Sequence, residues 1–278
     1  MLQADLYLPE TLRAGRRPGT LILVHGGGWQ DCTRRRAAVS WYADALSSVL
    51  KVAVLNVEYR LTQEGGGYPE SLGDVKCAAQ WMASESSRFG LDGTRLAMAG
   101  ESAGATLAVL AALTEGRADL DPGCGSGPAR LSAAIAYSGA YDLPGLASSS
   151  SAGASAAVTY AGPCRTRLGG CETGRACDRC VDASPLAHAC GALPRIVLVH
   201  APAEYDSLLP LEPAQRLQRA LLDAGGSAEL VVPSDAALRA EGCQPNVFAR
   251  QAHGLVNTCL TTPSGPVVAR VLVDALAP

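Results

Sequence analysis

Short runs of Val, Leu, Ile and Ala recur along the chain and alternate with stretches of helical period. The runs Gln3–Leu8, Thr20–Val24, Val52–Val57, Arg95–Ala99, Ala133–Tyr137, Arg195–His200 and Ala228–Val232 read as strands. Between them, Ala37–Leu50, Pro69–Phe89, Ala103–Thr114, Glu212–Ala224 and Pro266–Leu276 carry helical patterns. Several of the strands are apolar at successive positions, the pattern of a parallel strand buried on both faces. This repetition predicts an α/β fold, with a mostly parallel central sheet flanked by helices. At 278 residues the whole chain is expected to form a single domain.

One region breaks the rhythm. Residues 144–192 hold a Ser/Ala/Gly run (Ala147–Ala157), then Cys164, Cys171, Cys177, Cys180 and Cys190, with few aliphatic residues. A stretch this long without a strand pattern is expected to be functional, disordered or covalently stapled. We read it as a lid-like, cysteine-rich insertion within the domain, flexible in its first half and tied by disulfides in its second.

Composition adds limits. A net charge of −3, from 23 basic and 26 acidic residues, lacks the positive field that nucleic acid or an anionic membrane surface attracts. No apolar run approaches the ~20 residues of a membrane-spanning helix. The chain enters a strand pattern almost at once with no leader, as expected of a trimmed or mature form.

Two motifs carry chemistry. Gly100-Glu101-Ser102-Ala103-Gly104 fits the G-x-S-x-G nucleophile elbow, a tight strand-to-helix turn that exposes a serine hydroxyl. The apolar run before it and the strong helix former after it supply the context that this short pattern needs. His25-Gly26-Gly27-Gly28-Trp29 directly follows the strand Thr20–Val24. Successive glycines let a backbone turn its amides toward a ligand, as an oxyanion hole requires. No Gly-Lys-Ser/Thr or G-x-G-x-x-G pattern makes this loop a phosphate cradle. The backbone N–H groups of Gly27, Gly28 and Ala103 are the candidate oxyanion donors, with Trp29 and Tyr59 as candidate pocket residues.

These motifs, with Glu58-Tyr-Arg-Leu61 between them, resemble the α/β-hydrolase fold, and within it the hormone-sensitive-lipase-like and feruloyl-esterase- and arylformamidase-like carboxylesterases. The resemblance runs from Leu6 to the C-terminus, apart from the cysteine-rich insertion. It implies serine-dependent hydrolysis of short-chain or aromatic carboxylic esters, small or polymer-linked, with no cofactor and no metal. An arylformamidase-type amidase is the alternative, and a silent binding protein of the same fold a more remote one. The implied triad runs in the order Ser102, Asp206, His253. His253 in Gln251-Ala-His-Gly-Leu255 stands where the family places its base, and Asp206-Ser-Leu-Leu-Pro210 resembles the family's acid turn. The segment from His200 to Asp206 is two residues longer than the family spacing, so Glu204 stands as the alternative acid. His25 is expected to order the glycine loop, Arg60 and Asp74 to pair, and Arg34-Arg35-Arg36 to be a solvated helix start.

The 10 cysteines allow five bridges. Cys32 with Cys77 is one expected pair, and Cys243 with Cys259 would pin the segment carrying His253. Cys177-Asp-Arg-Cys180 alone is a weak metal or redox signal. Disulfides on this scale imply a secreted or otherwise exported protein.

Overall fold

The computed structural model describes residues 2–10, 17–34, 37–125, 127, 129–151, 153–162, 179–191, 193–243 and 258–276; for 37–39, 41 and 258–263 only the backbone is described. The strands are β1 (Ala4–Tyr7), β2 (Thr20–Val24), β3 (Ala53–Val57), β4 (Leu96–Glu101), β5 (Leu131–Tyr137), β6 (Arg195–Val199) and β7 (Ala228–Val231). They form one sheet in the order β1-β3-β2-β4-β5-β6-β7. Only β1 runs antiparallel to its neighbour. Every residue of β2, β3 and β4 is buried, which is why these strands read as continuous apolar runs.

The helices are α1 (Ala37–Leu50), α2 (Glu70–Glu85), α3 (Ala103–Leu113), α4 (Leu143–Ala147), α5 (Ala154–Ala161), α6 (Arg179–Asp182), α7 (Glu212–Asp223), α8 (Asp235–Ala240) and α9 (Thr258–Leu276). The two faces of the sheet bury separate clusters. Met98, Ala134 and Leu198 face the cluster that includes α2, α3 and α7, and Ala97, Ala133 and Val197 face the one that includes α9. This is the predicted α/β architecture. Helix α3 is buried from Ala103 through Ala112, because it lies between the sheet and α2.

The insertion departs from expectation. The Ser/Ala/Gly run, read as flexible, is helical at both ends in α4 and α5. Leu146, Ala157, Tyr160, Ala161, Cys180 and Leu186 join the main core, so this region packs on the domain with few aliphatics of its own. Three aromatics and one carboxylate make much of that attachment. Tyr160 stacks on Trp29 with ring centroids 4.3 Å apart, and Tyr68 meets Tyr160 edge-on. Tyr68 Oη donates to Asp182 at 2.5 Å, and Arg117 Nη1 donates to the same carboxylate at 3.0 Å.

Cysteine pairing corrects one expectation. Cys77 bonds to Cys124, 47 residues on, and so does not pair with Cys32. Cys180, Cys190 and Cys243 are also disulfide-bonded. Cys164, Cys171, Cys177 and the side chain of Cys259 lie outside the described residues. Arg34 is a second correction. It is buried and paired with Asp5 and Glu58 rather than solvated, while Arg35 and Arg36 lie outside the described residues. Arg60 and Asp74 do pair, at 2.7 Å. Among the described residues no helix is long and apolar enough to cross a membrane.

The Cys77–Cys124 bridge joins α2 to the segment before β5. Replacing both cysteines with Ser frees a loop of that length in the unfolded chain, at a cost of about 4 kcal/mol in the loop-closure picture. The denaturant midpoint should fall accordingly, and the slope should steepen because the uncrosslinked unfolded chain exposes more surface.

Candidate active site

β4 ends at Glu101 and α3 starts at Ala103, so the chain reverses at Ser102 alone. Ser102 takes φ 52° and ψ −117°, a strained conformation for a residue with a side chain. It is held by its amide donating to the Tyr137 carbonyl at 2.8 Å and by its carbonyl accepting from Thr106 N at 3.1 Å. Its side chain is only partly buried. The motif's glycines are steric necessities. A Cβ on Gly100 would lie 2.3 Å from the Gly104 carbonyl oxygen, and one on Gly104 would lie 2.3 and 2.4 Å from the carbonyl oxygens of Val24 and His25.

That second contact brings the glycine loop to the serine. β2 and β4 are parallel neighbours with Val24 opposite Gly100, so His25–Trp29 leaves the sheet beside the elbow. Gly27, Gly28 and Trp29 have φ of 108°, 61° and 58°, a run of left-handed residues that two glycines make accessible. The amides of Gln30 and Asp31 both donate to the Gly27 carbonyl, which turns that carbonyl into the loop. Among the described residues, the N–H groups of Gly27, Gly28 and Ala103 have no acceptor. The loop that carries the Gly27 and Gly28 amides thus leaves the sheet beside the elbow.

A charged layer supports the loop. His25 Nδ1 lies 2.7 Å from the Gly26 carbonyl oxygen and Nε2 lies 2.8 Å from Glu58 Oε1. Both partners can only accept, so the ring carries both protons and a positive charge. Burial opposes that charge, but contacts with Cys32, Glu58 and the Gly26 carbonyl outweigh it and raise the His25 pKa to about 9. Burial likewise opposes the Glu58 carboxylate, yet hydrogen bonds from His25, Thr33 and Arg34 hold it down at about 2. Tyr59 stacks on His25 at 4.4 Å and donates to the His25 and Gly26 carbonyls at 3.1 and 3.2 Å. Tyr59, expected to line a pocket, is instead buried against the loop as its support. Trp29 is buried as well, stacked on Tyr160 of α5. Ala156 of α5 comes to 3.4 Å of where a Cβ on Gly28 would be, so this helix flanks the loop. Neither Tyr160 nor Ala156 was evident from the sequence, because only the fold of the insertion brings them here.

The remaining site residues come from later loops. Asp206, after β6, is buried, and its Oδ1 accepts from Leu208 N at 3.0 Å. Glu204 is exposed, as is Asp235 after β7. His188 and His200 are engaged in the fold: His188 Nε2 donates to the Asp182 carbonyl at 2.8 Å and His200 Nδ1 to the Ala201 carbonyl at 2.9 Å. His253 lies outside the described residues.

Comparison with known proteins agrees with this geometry. Residues 4–221 match the sequence profile of the BD-FAE family. The chain belongs to the BD-FAE family. Among relatives of this BD-FAE chain, esterase LipQ of Mycobacterium tuberculosis is 32% identical over 140 residues, 50% of this chain and 32% of LipQ. The probable carboxylic ester hydrolase LipM of the same organism is 28% identical over 74% of this chain and 45% of its own length. Kynurenine formamidase avaC of Aspergillus versicolor is 34% identical over 46% of each chain. The match thus spans about a third of LipQ and under half of the other two. Among solved structures, Thermogutta terrifontis esterase 2 phosphoramylated by tabun superposes with a TM-score of 0.71 at 20% identity, covering 100% of this chain and 91% of that one. The acetyl ester-xyloside bifunctional hydrolase of Caldicellulosiruptor lactoaceticus superposes at 0.65 and 18% identity, covering 84% and 77%. These neighbours bear out the α/β-hydrolase fold.

The His25–Glu58 layer makes stability depend on pH. The raised His25 pKa stabilises the fold fully below 6.5, and this contribution is lost as pH rises through about 9. The depressed Glu58 pKa contributes above 4.5 and is lost as pH falls toward about 2. A shift of this size on a buried histidine corresponds to roughly 3 kcal/mol, counted once for the pair. The melting temperature should therefore decline from pH 6.5 to 9, and Glu58→Gln should flatten that decline.

Proposed function

We propose that this BD-FAE chain is a serine carboxylic ester hydrolase. The reading rests on one observation: Ser102 sits strained on its elbow against a glycine loop whose Gly27 and Gly28 amides, with that of Ala103, have no acceptor among the described residues. Esterases and carboxylic ester hydrolases among its relatives support the same chemistry. In this mechanism His253 takes the proton of Ser102 as its oxygen attacks the ester carbonyl. Asp206 orients the imidazole, a role that suits a buried carboxylate better than the exposed Glu204. The three amides hold the tetrahedral oxyanion, each such donor being worth about 3 kcal/mol of barrier. Alcohol leaves, and water then cleaves the acyl-enzyme.

The substrates are short-chain or aromatic esters, free or attached to a polymer. The disulfides support action in an oxidising compartment, after secretion or other export. An amidase reading has one specific support, the kynurenine formamidase among the relatives. It shares the whole mechanism and differs in the leaving group.

Ser102→Ala should lower hydrolysis of p-nitrophenyl acetate by about 10⁴-fold or more, and a fluorophosphonate should label Ser102 alone. Retained turnover would overturn the assignment. Asp206→Asn should cost about 10⁴-fold against little effect of Glu204→Gln, and the reverse would make Glu204 the acid. Faster cleavage of N-formylkynurenine than of any ester in a panel from acetate to palmitate, with methyl ferulate, would favour the amidase.

A further inference from the structure

Helix α5 joins two parts of the candidate site. At its start, Ser151 Oγ donates to the Leu208 carbonyl, and the Leu208 amide donates to Asp206 Oδ1. Gly153 packs so closely there that a Cβ on it would stand 3.0 Å from the Leu208 carbonyl oxygen and 3.2 Å from Leu209 Cδ2. At its end, Tyr160 stacks on Trp29, and the Tyr160 carbonyl accepts from the Tyr68 amide at 3.0 Å. The helix therefore reaches from the acid turn to the glycine loop and is fixed at both.

Helical spacing then decides which residue faces the gap between those two attachments. Gly153, Ala156 and Tyr160 stand at i, i+3 and i+7, so they share one face. Ala157 and Ala161 turn into the core, while Ser155, Val158 and Thr159 face solvent. Gly153 is taken up by the acid turn and Tyr160 by Trp29. Half-buried Ala156 is left over the gap.

Gly28 faces the same gap from the loop. A Cβ on Gly28 would have Ala156 Cβ at 3.4 Å and no other described atom within 4 Å. An ester whose oxyanion sits on the Gly28 amide thus has the Ala156 methyl as its neighbouring wall. The leaving oxygen must turn toward the imidazole that Asp206 orients, because that imidazole returns the proton to it. The acyl part is then the part that lies on the side of Gly28 and Ala156.

We propose that Ala156 is a specificity-determining residue of the acyl subsite, and that its methyl sets how large an acyl group fits beside Gly28. The inference rests on the esterase reading of Ser102 and its amide donors. A small residue at this point suits acyl groups longer than acetyl, because a larger side chain would fill the space that they need.

The test compares kcat/KM for p-nitrophenyl acetate, butyrate and hexanoate, and for ethyl, butyl and hexyl acetate. Leucine keeps the helix propensity of position 156. Ala156→Leu should lower hexanoate relative to acetate at least tenfold, since one misfitted methylene in an apolar pocket is worth about 10–200-fold. Ala156→Gly should shift the same ratio the other way. Ser155→Leu, on the solvent face of the same helix, should leave it unchanged. A ratio unmoved in both Ala156 variants, or moved equally by Ser155→Leu, overturns the inference. So does a response to alcohol length with none to acyl length. If Ala156→Leu loses its cooperative thermal transition, Ala156→Gly decides by itself. Wild-type protein that hydrolyses none of these esters, and whose Ser102 no fluorophosphonate labels, sinks the esterase reading and this inference with it. Wild-type turnover with indifferent Ala156 variants sinks this inference alone.

Discussion

The contact on which the site depends is between two backbones. Gly104, in the first turn of α3, lies so near the carbonyls of Val24 and His25 that no side chain fits between them. This closeness follows from the pairing of β2 with β4, since parallel neighbours end side by side and both chains leave the sheet on the same edge. The elbow and the glycine loop are therefore placed relative to each other by the sheet, with no need for side chains to reach across. A residue larger than glycine at position 104 would drive the helix away from β2 and open the space between Ser102 and the amides of Gly27 and Gly28.

Holding the loop closed needs more than proximity, because Trp29 is left-handed without being a glycine and carries strain. The opposing forces come from a charged and aromatic layer. His25 and Glu58 form an ion pair in which both imidazole protons are used, and Tyr59 caps the ring while binding two loop carbonyls. Glu58 in turn collects Thr33 and Arg34, and Asn56 of β3 donates to the Arg34 carbonyl at 2.8 Å. The segment leaving the loop is thereby returned to the edge of the sheet. A buried ion pair is poor evidence for added stability, since desolvation consumes much of its Coulomb energy. Its value here is in direction: it leaves the loop one arrangement.

How much of this the sequence disclosed follows from the range of the interactions. The strands of the central sheet were legible because two-sided burial writes an unbroken apolar run, and β2 matches its predicted bounds. Helix α9 was read eight residues short, from Pro266 instead of Thr258, because Pro263 and Pro266 lie within it and proline ordinarily marks a start. The elbow and the glycine loop were legible because tight turns demand particular residues in particular places. Tyr59 was misread as pocket because an aromatic near a glycine loop looks the same from either side. Only the stacking on His25 and the bonds to two carbonyls reveal which side it takes.

The insertion was opaque for a different reason. Its residues are small and polar, so no local pattern announces a helix, and what orders α5 is a partner more than a hundred residues earlier. Trp29 and Tyr160 meet face to face at 4.3 Å, and the second is continued by Tyr68 and Asp182. This ladder joins the far end of the glycine loop to the insertion. The loop is thus braced on two sides by unlike means, ionic at His25 and aromatic at Trp29. The difference is not absolute, for the aromatic ladder ends on the Asp182 carboxylate and the charged His25 ring is itself stacked on Tyr59, so each side of the loop is fixed by stacking together with a charge.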